Sequence, residues 1–361
     1  MKTKFEEVLN KAASKSINRK EALHLFYETK NYSKAQELFK VASKVRDNTL
    51  GTTFKWTAGV ASVLPCNLEP LCLYCPYWTK PRDSLSMEEI LKGVRYITEQ
   101  GIREFHLSAG TTLGSEGKEM VEIVRTIRSE TDFQSHINVN CGAALSEDSI
   151  KELKKLGVTR IGASFETINK KLFQQTKPGD SLEAKKKLAE MINDAGLELG
   201  SGLLAGLGCK NCSEKCPIGA APGKLEPSRY EDYVDFMFYV KQFENLRSVY
   251  VSRFFPYTGI PLADHPRCSA MEGARIIAVM RLVLRDVRIG PAAGWSYDDI
   301  PLWVSAGGGN TIGGIHVNRT PHYRGNWYLP KALDYREGLE FRNTIPTATK
   351  FLQELGMSVK Y

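Results

Sequence analysis

A regular alternation of β-rich segments and capped helices after Gly51 constrains the fold of this chain more than any other feature. It predicts eight strand–helix units within about 270 residues, the size and rhythm of a parallel (β/α)8 barrel. Ser86 and Ser146, each followed by acidic residues, are expected to begin two of the helices. A doubly wound open sheet shares this alternation and is the competing α/β architecture. The predicted strands span residues 57–64, 103–109, 136–140, 160–165, 197–204, 247–254, 286–291 and 312–317.

The segments outside the alternation predict additions to the barrel. Residues 1–50 have helical periodicity and are expected to form an N-terminal helical extension. Residues 51–320 are assigned to the barrel, and residues 321–361 to a C-terminal helical segment that closes it.

Small and polar residues cluster directly after the predicted strands. In a (β/α)8 barrel the active site lies in the loops that follow the carboxyl ends of the strands. This placement favours the barrel over the open sheet. The clusters are Ser108-Ala109-Gly110-Thr111, Asn140, Ser164-Phe165-Glu166 and the glycine-rich stretch 202–208.

Composition excludes several classes of protein. Apolar residues make up 42% and charged residues 25%, which is typical of a globular chain and not of a disordered one. No apolar run approaches the roughly 18–20 residues of a membrane span, and Met1–Glu7 resembles no secretory signal. We therefore expect a cytoplasmic protein. The net charge of +8 mildly favours anionic ligands. The basic residues are dispersed, and no RNA-binding motif is found, which argues against a nucleic-acid partner.

Three of the eight cysteines form a compact CX5CX2C motif at Cys66, Cys72 and Cys75. Three thiolates within ten residues can converge on one metal centre. A structural zinc site would need a fourth ligand at a defined spacing, and none follows nearby. In a cubane iron–sulfur cluster, three cysteines leave one iron open to bind a substrate or cofactor. A zinc or purely structural thiol cluster is the alternative.

This motif, placed after the first predicted barrel strand, resembles that of the radical S-adenosylmethionine (SAM) superfamily, in which the usual spacing is CX3CX2C. The longer first gap is similar to that of the HmdB family, which is associated with biosynthesis of the iron-guanylylpyridinol cofactor of mono-iron hydrogenase. Residues 253–262 resemble the related group of biotin synthase, HydE and methylornithine synthase.

The resemblance implies a 4Fe-4S cluster on Cys66, Cys72 and Cys75, and SAM bound to its open iron. Reductive cleavage of SAM would then give a 5′-deoxyadenosyl radical that abstracts hydrogen from a substrate. The cofactor-binding residues implied by the resemblance are Tyr74 near adenine, Ser108, Ala109, Gly110 and Thr111 at the SAM amino group, Ser164 and Glu166 at the ribose, Lys185 at the methionine carboxylate, and Gly206 beside adenine.

Each of these assignments has a simpler alternative. Tyr74 could serve loop packing, and Glu166 could be an ordinary surface carboxylate. Lys185 is followed by Lys186 and Lys187, so it could belong to a solvated helix face. Cys209 replaces the glutamate expected after the glycine-rich motif.

Substrate contacts are expected from Asn140, Arg253 and Tyr257, which lie at or just beyond predicted strand ends. Arg253 could hold an anionic group of the substrate, and packing at the top of the barrel is the alternative for all three. His106 on the second strand is expected to be a core histidine.

A second group, Cys209, Cys212 and Cys216, has CX2CX3CP spacing. It could hold an auxiliary iron–sulfur cluster, or a zinc ion with Cys268 or His265 as the fourth ligand. Free thiols, or a disulfide formed in air, are the remaining alternative.

The leading hypothesis is therefore a radical SAM enzyme in the biosynthesis of the iron-guanylylpyridinol cofactor. A biotin-synthase-like or HydE-like enzyme acting on another small molecule, or a non-catalytic iron–sulfur protein, are the alternatives. The SAM-binding loops argue against the last of these. The expected partners are a small-molecule substrate, an external one-electron donor such as ferredoxin or flavodoxin, and other proteins of cofactor biosynthesis.

Overall fold

A computed structural model describes residues 3–79, 84–208, 230–319, 333–336 and 338–361. Cys209, Cys212 and Cys216 lie outside the described residues. Within the described part of the chain, no helix combines the length and hydrophobicity needed to span a membrane.

The N-terminal segment folds as helices α1 (Lys4–Ala12), α2 (Arg19–Glu28) and α3 (Tyr32–Leu50). The side chain of Asn18 caps α2 in a capping box that Glu21 completes. Helix α3 packs against α10 of the barrel. The helical character predicted for this segment is therefore confirmed.

The parallel strands of the barrel follow one another around a single sheet. Their order is β7-β6-β5-β4-β3-β2-β1-β8, so the last strand lies beside the first. An isolated bridge between Ile289 and Gly309 joins β7 to the segment preceding β8. A doubly wound sheet would reverse its strand order at a switch point, so this order confirms the barrel. The strands are β1 (Thr53–Ala61), β2 (Glu104–Ser108), β3 (His136–Asn140), β4 (Val158–Gly162), β5 (Glu198–Ala205), β6 (Leu246–Arg253), β7 (Arg288–Pro291) and β8 (Thr311–Arg319).

Helices cover the outside of the barrel and bury its apolar outer face. Ser86 and Ser146 cap α4 and α6, as their sequence context predicts. Strand β1 begins four residues earlier than predicted, because Phe54 and Trp56 alternate with polar residues in a half-buried strand pattern. The helices are α4 (Met87–Glu99), α5 (Lys118–Glu130), α6 (Glu147–Lys155), α7 (Lys170–Thr176), α8 (Leu182–Asp194), α9 (Tyr230–Val240), α10 (Ala270–Leu284) and α11 (Ile300–Ser305).

The C-terminal segment corrects one prediction. Residues 321–361 were expected to be helical, but their described part contains β9 (Leu333–Arg336), β10 (Leu339–Asn343) and β11 (Ser358–Lys360) as well as α12 (Ile345–Glu354). Strand β10 pairs antiparallel with β8, and β11 pairs parallel with β1. The reason lies in the sequence of β10, where apolar and charged residues alternate with the period of a strand.

Candidate active site at the carboxyl end of the barrel

The barrel encloses a cavity of about 520 Å³ that extends to the carboxyl ends of its strands. Side chains from β2, β3 and the segment after β4 line it, together with residues that follow β6. Among the residues expected to bind SAM or substrate, those that line the cavity are Ser108, Asn140, Ser164, Glu166 and Tyr257. The structure thus brings together residues that are far apart in the sequence.

Glycines keep the interior of the barrel open. Gly59, Gly162, Gly200 and Gly202 all line the cavity, at positions where bulky branched residues usually fill a (β/α)8 barrel. A Cβ atom on Gly59 would lie 2.4 Å from Cε1 of His106. At these four positions no side chain enters the barrel, which leaves room for the cavity.

A charged network occupies the amino-terminal end of the barrel. The Arg160 guanidinium lies 3.1 Å from both the Glu104 and the Glu198 carboxylates. Arg288 lies 3.3 Å from Glu104, to which the Asn138 amide also donates a hydrogen bond of 3.0 Å. Burial raises the pKa of Glu104, but the two arginines and Asn138 outweigh it and hold the pKa below its ordinary value. Glu104 therefore stays ionised, and its network joins five strands, β2, β3, β4, β5 and β7.

The predicted cluster ligands lie on the cysteine loop, residues 62–79, which follows β1. Cys66 is buried, Cys72 and Cys75 are partly exposed, and all three are free thiols. The Cys75 backbone N–H donates to the Cys72 carbonyl at 2.9 Å, so the CX2C segment forms a tight turn. The indole N–H of Trp78 donates to the same carbonyl at 3.0 Å.

The three thiols are available as ligands for an iron–sulfur cluster. Burial raises the pKa of Cys72, and it raises the pKa of Cys75 to about 12. Both are therefore neutral thiols until a metal displaces their protons. Among the described residues, no three His, Cys, Asp or Glu side chains converge closely enough to hold one metal ion. In an iron–sulfur cluster each thiolate binds its own iron, so more widely spaced sulfurs are suitable.

The loop after β2 packs against the cysteine loop. The Ala109 N–H donates to the Asn140 carbonyl at 2.8 Å, and the Gly110 N–H donates to the Leu64 carbonyl at 2.9 Å. The Thr111 carbonyl accepts from the Asn67 N–H at 3.0 Å. Of the four residues predicted to bind the SAM amino group, only Ser108 lines the cavity.

Gly110 is required by this contact between the two loops. A Cβ atom at this position would lie 2.4 Å from the Pro65 carbonyl oxygen and 2.6 Å from Cβ of Cys66. Even alanine would force the first cluster cysteine to move. Gly110 therefore supports the cysteine loop, and its contact with SAM stays a prediction.

Glu166 has an unusual backbone conformation. Its φ of +66° is in the left-handed region, which costs a residue with a side chain about 1–2 kcal/mol. Its N–H donates to the Gly202 carbonyl, and its carbonyl accepts from the Leu204 N–H, both at 2.9 Å. These bonds fix the carboxylate at the cavity wall, where strain of this kind often marks a functional residue.

Lys185 is not part of a solvated helix face. It is only 4% exposed, and its Nζ lies 3.3 Å from Oδ2 of Asp180. Lys177, also buried, places its Nζ 3.0 Å from the same oxygen. Burial and the charge of Lys177 lower the pKa of Lys185. These observations rule out a solvated helix face for Lys185. They also show that Lys177 and Asp180 belong to the same cluster of charges. The sequence alone did not indicate these two residues, although their spacing suits an ion pair.

Two tyrosines lie close to the cysteine loop. Burial raises the pKa of Tyr74 well above its ordinary value. Burial also raises the pKa of Tyr257 to about 12. Both phenols are therefore neutral and able to donate a hydrogen bond near the cluster site.

Arg253 is the one predicted substrate residue that does not line the cavity. It is buried, donates from Nη2 to the Gly294 carbonyl at 2.7 Å, and stacks on Trp295 with 4.6 Å between its guanidinium carbon and the ring centroid. Its Nη2 also lies 3.5 Å from Asp299. The expected contact with a substrate anion is thus corrected: Arg253 braces the loop after β7.

His106 was expected to be a core histidine, but it lines the cavity. Phe105 and Leu107 are buried on the outer face of β2, so His106 and Ser108 face the cavity. Burial lowers the pKa of His106, which is therefore a neutral imidazole. The alternation along β2 was the signal that could have identified it.

Gly206 and the two candidate fourth ligands of the second cysteine group lie together. The Gly206 N–H donates to the Tyr233 hydroxyl, and its carbonyl lies 3.1 Å from Nε2 of His265. A Cβ atom on Gly206 would lie 2.5 Å from Cβ of Cys268. Gly206 does not line the cavity. Because the second cysteine group lies outside the described residues, a second metal site stays a prediction.

Comparison with known proteins identifies the superfamily. The model of the radical SAM superfamily matches residues 65–210, from the cysteine loop to the end of β5. An uncharacterized protein of Methanocaldococcus jannaschii is 34% identical over 284 residues, which cover 76% of this chain and 68% of that protein. A biotin synthase of Frankia alni is 27% identical over 204 residues, covering 55% of this chain and about half, 51%, of the relative.

Solved structures share the fold at low sequence identity. Methylornithine synthase superposes with a TM-score of 0.77 at 19% identity, covering 98% of this chain and 97% of that one. The FeFe-hydrogenase maturase HydG from Carboxydothermus hydrogenoformans also gives a TM-score of 0.77, at 20% identity, covering 99% of this chain and 79% of that one. These likenesses confirm the barrel fold.

The matched region contains the cysteine loop, Glu166 and Lys185, so similarity in sequence and the observed geometry identify the same end of the barrel. Membership of the superfamily implies a 4Fe-4S cluster and SAM as cofactors. The chain belongs to the radical SAM superfamily and is a SAM-dependent enzyme.

Proposed function

We propose that this enzyme reductively cleaves SAM to a 5′-deoxyadenosyl radical, which acts on a small molecule in the biosynthesis of the iron-guanylylpyridinol cofactor of mono-iron hydrogenase. The observation that carries the proposal is that a free three-cysteine loop packs on the loop after β2, beside a hollow barrel interior that polar side chains such as Ser108 and Glu166 line. The CX5CX2C spacing supports the HmdB-type role. The likeness to a hydrogenase maturase supports a function in cofactor assembly.

The cysteine loop would hold the cluster through Cys66, Cys72 and Cys75. When bound, the cluster supplies the electron that cleaves the sulfonium of SAM. Glu166 would accept hydrogen bonds from the ribose hydroxyls, since its backbone bonds to β5 fix its carboxylate at the cavity wall. Lys185 would pair with the methionine carboxylate, because Asp180 holds its ammonium group in a buried position.

The barrel interior would receive the substrate below SAM. Asn140, Tyr257 and His106 present neutral polar groups to the cavity. The inward glycines provide the volume that a ring-shaped or branched small molecule needs. Burial of the substrate among these groups would keep water away from the radical.

A biotin-synthase-like reaction on another small molecule is the second candidate, favoured by the similarity to biotin synthase. Insertion of sulfur would need a second, sulfur-donating cluster inside the barrel. Among the described residues that line the cavity there is no cysteine to hold one. In either case an external ferredoxin or flavodoxin would supply the electron.

The test is anaerobic product analysis. We expect protein reconstituted with iron and sulfide to produce 5′-deoxyadenosine from SAM and dithionite. The Cys72→Ala variant should lose this activity and the visible absorbance of the cluster. The matched control is Cys141→Ala, which removes a buried thiol outside the cysteine loop and should retain both. Equal activity of the native protein and Cys72→Ala would refute a role of the cysteine loop in SAM cleavage.

The same assay identifies the substrate. Extracts of cells that make the iron-guanylylpyridinol cofactor, grown with deuterated precursors, should transfer deuterium into 5′-deoxyadenosine. An extract from cells that lack the hydrogenase cofactor is the control. Transfer from both extracts, or from neither, would contradict the proposed role in making this cofactor.

A further inference from the structure

The loop between α7 and α8, residues 177–181, lies directly on the cysteine loop. The Leu73 N–H donates to the Thr176 carbonyl at 2.8 Å. A Cβ atom on Gly179 would lie 2.2 Å from the Pro70 carbonyl oxygen, so the two backbones touch at this point. The side chains of this loop are therefore held at a fixed position relative to Cys72.

This contact buries two ammonium groups that share one carboxylate. Lys177 and Lys185 are each 4% exposed, and they share the carboxylate of Asp180 at 3.0 and 3.3 Å. Lys177 also lies 4.9 Å from the ring centroid of Phe173. Because one carboxylate serves two buried ammonium groups, a further anion close to them is favourable, and a reduced cluster on the adjoining cysteine loop would supply one.

The titratable groups that face Lys177 come from three elements. They are Cys72 on the cysteine loop, Asp180 on its own loop, and Glu166 after β4. Asp180 and Glu166 also face Lys185, but burial and the charge of Lys177 outweigh them and lower the pKa of Lys185. Lys177 directly follows Thr176, whose carbonyl accepts from the residue after Cys72, so the backbone of Lys177 is fixed against the cysteine loop.

We propose that Lys177 is the electrostatic partner of the cluster at Cys72 and sets its reduction potential, while Lys185 remains available to the carboxylate of SAM. This inference rests on the cluster that superfamily membership implies, and it is independent of the proposed substrate. One electron from an external donor adds one negative charge to the cluster. A buried ammonium beside a ligating sulfur favours that reduced state and raises the potential.

The test is a redox titration of reconstituted protein with dithionite, monitored by the electron paramagnetic resonance signal of the reduced cluster, without SAM or substrate. Lys177→Met removes the charge at similar length, and Lys177→Arg retains it. Lys170→Met removes an exposed lysine at the start of α7 and is the matched control. Iron content and circular dichroism are measured for every variant.

We expect Lys177→Met to shift the equilibrium toward the oxidised cluster about tenfold, which is about 59 mV for a one-electron couple. Lys177→Arg and Lys170→Met should keep the native potential. An unchanged potential in Lys177→Met would overturn the proposal, and so would an equal shift in Lys177→Arg, because packing and not charge would then be responsible.

If Lys177→Met does not retain iron, the iron content and the reduction potential of Lys177→Arg show whether the charge at residue 177 matters. Native iron content and potential in Lys177→Arg support the role of charge, and loss of iron in this variant as well overturns it. Failure of the native protein to assemble a cluster would instead contradict the proposed function. The two failures are therefore distinguishable.

Discussion

The substitution Glu166→Gly tests two effects separately. One is the effect of the strained backbone on folding stability, and the other is the effect of the carboxylate on SAM binding. Glu166 has a φ of +66°, so the substitution relieves the cost of a left-handed residue with a side chain, about 1–2 kcal/mol. Glycine adds about 0.5–1 kcal/mol of conformational entropy to the unfolded chain. The two effects partly cancel, and we expect Glu166→Gly to be between unchanged and about 1.5 kcal/mol more stable.

Binding of SAM should change much more than stability. Hydrogen bonds to a charged group contribute about 1.5–3 kcal/mol each, so loss of the carboxylate should weaken SAM binding roughly tenfold to a hundredfold. Glu166→Gln keeps the backbone strain and removes only the charge. It should bind SAM weakly without any gain in stability.

The assays are calorimetric titration of reconstituted protein with SAM and thermal unfolding of the same samples. Glu116 offers a matched control, since its φ of 55° is also positive but its exposed side chain pairs with Lys118, outside the cavity. Glu116→Gly should resemble Glu166→Gly in stability and bind SAM like the native protein. Unchanged SAM affinity in Glu166→Gly would refute the role of this carboxylate, and reduced affinity in Glu116→Gly would show that backbone flexibility is responsible.

Three further predictions concern the barrel. Glu104→Gln leaves Arg160 with one carboxylate partner and should cost about 3 kcal/mol at pH 7 in urea unfolding. Because the folded pKa of Glu104 is lowered, its contribution is present above the unfolded pKa and is lost as the pH falls through the folded pKa, so the difference between native protein and variant should shrink in acid. Gly59→Ala would place its Cβ 2.4 Å from His106 and should cost about 1–3 kcal/mol by thermal unfolding, with SAM cleavage in the absence of substrate retained. Arg253→Met should lower the unfolding temperature but leave SAM affinity unchanged, and a large loss of affinity would contradict its bracing role.

The fold could be predicted from local patterns because they agree with the tertiary structure. Capping residues such as Ser86 begin helices where expected, and the strand order follows from the alternation. The C-terminal strands were missed because β9 and β11 are short. A short segment gives little periodicity, and its pairing with β10 or β1 depends on the rest of the sheet.

The site could be predicted only where the sequence spacing itself carries the chemistry. The CX5CX2C motif is local, so Cys66, Cys72 and Cys75 were identified directly. Lys177 and Asp180 were not, because their role arises from the packing of one loop on another. A run of three lysines suggested a solvated surface, and only the burial of Lys185 against Asp180 excludes that interpretation.

The hollow barrel links the stability of this protein to its function. Glycine in a strand forfeits packing and costs conformational entropy, yet Gly59, Gly200 and Gly202 all face the interior. The folding free energy lost with these apolar layers must be offset by other interactions in the barrel. The charged network around Glu104 stabilises the amino-terminal end of the barrel. Its ion pairs link several strands and leave the cavity open. Arg160 of this network also lines the cavity, so the charges that hold the barrel bound one end of the cavity, and the cysteine loop lies at the carboxyl end.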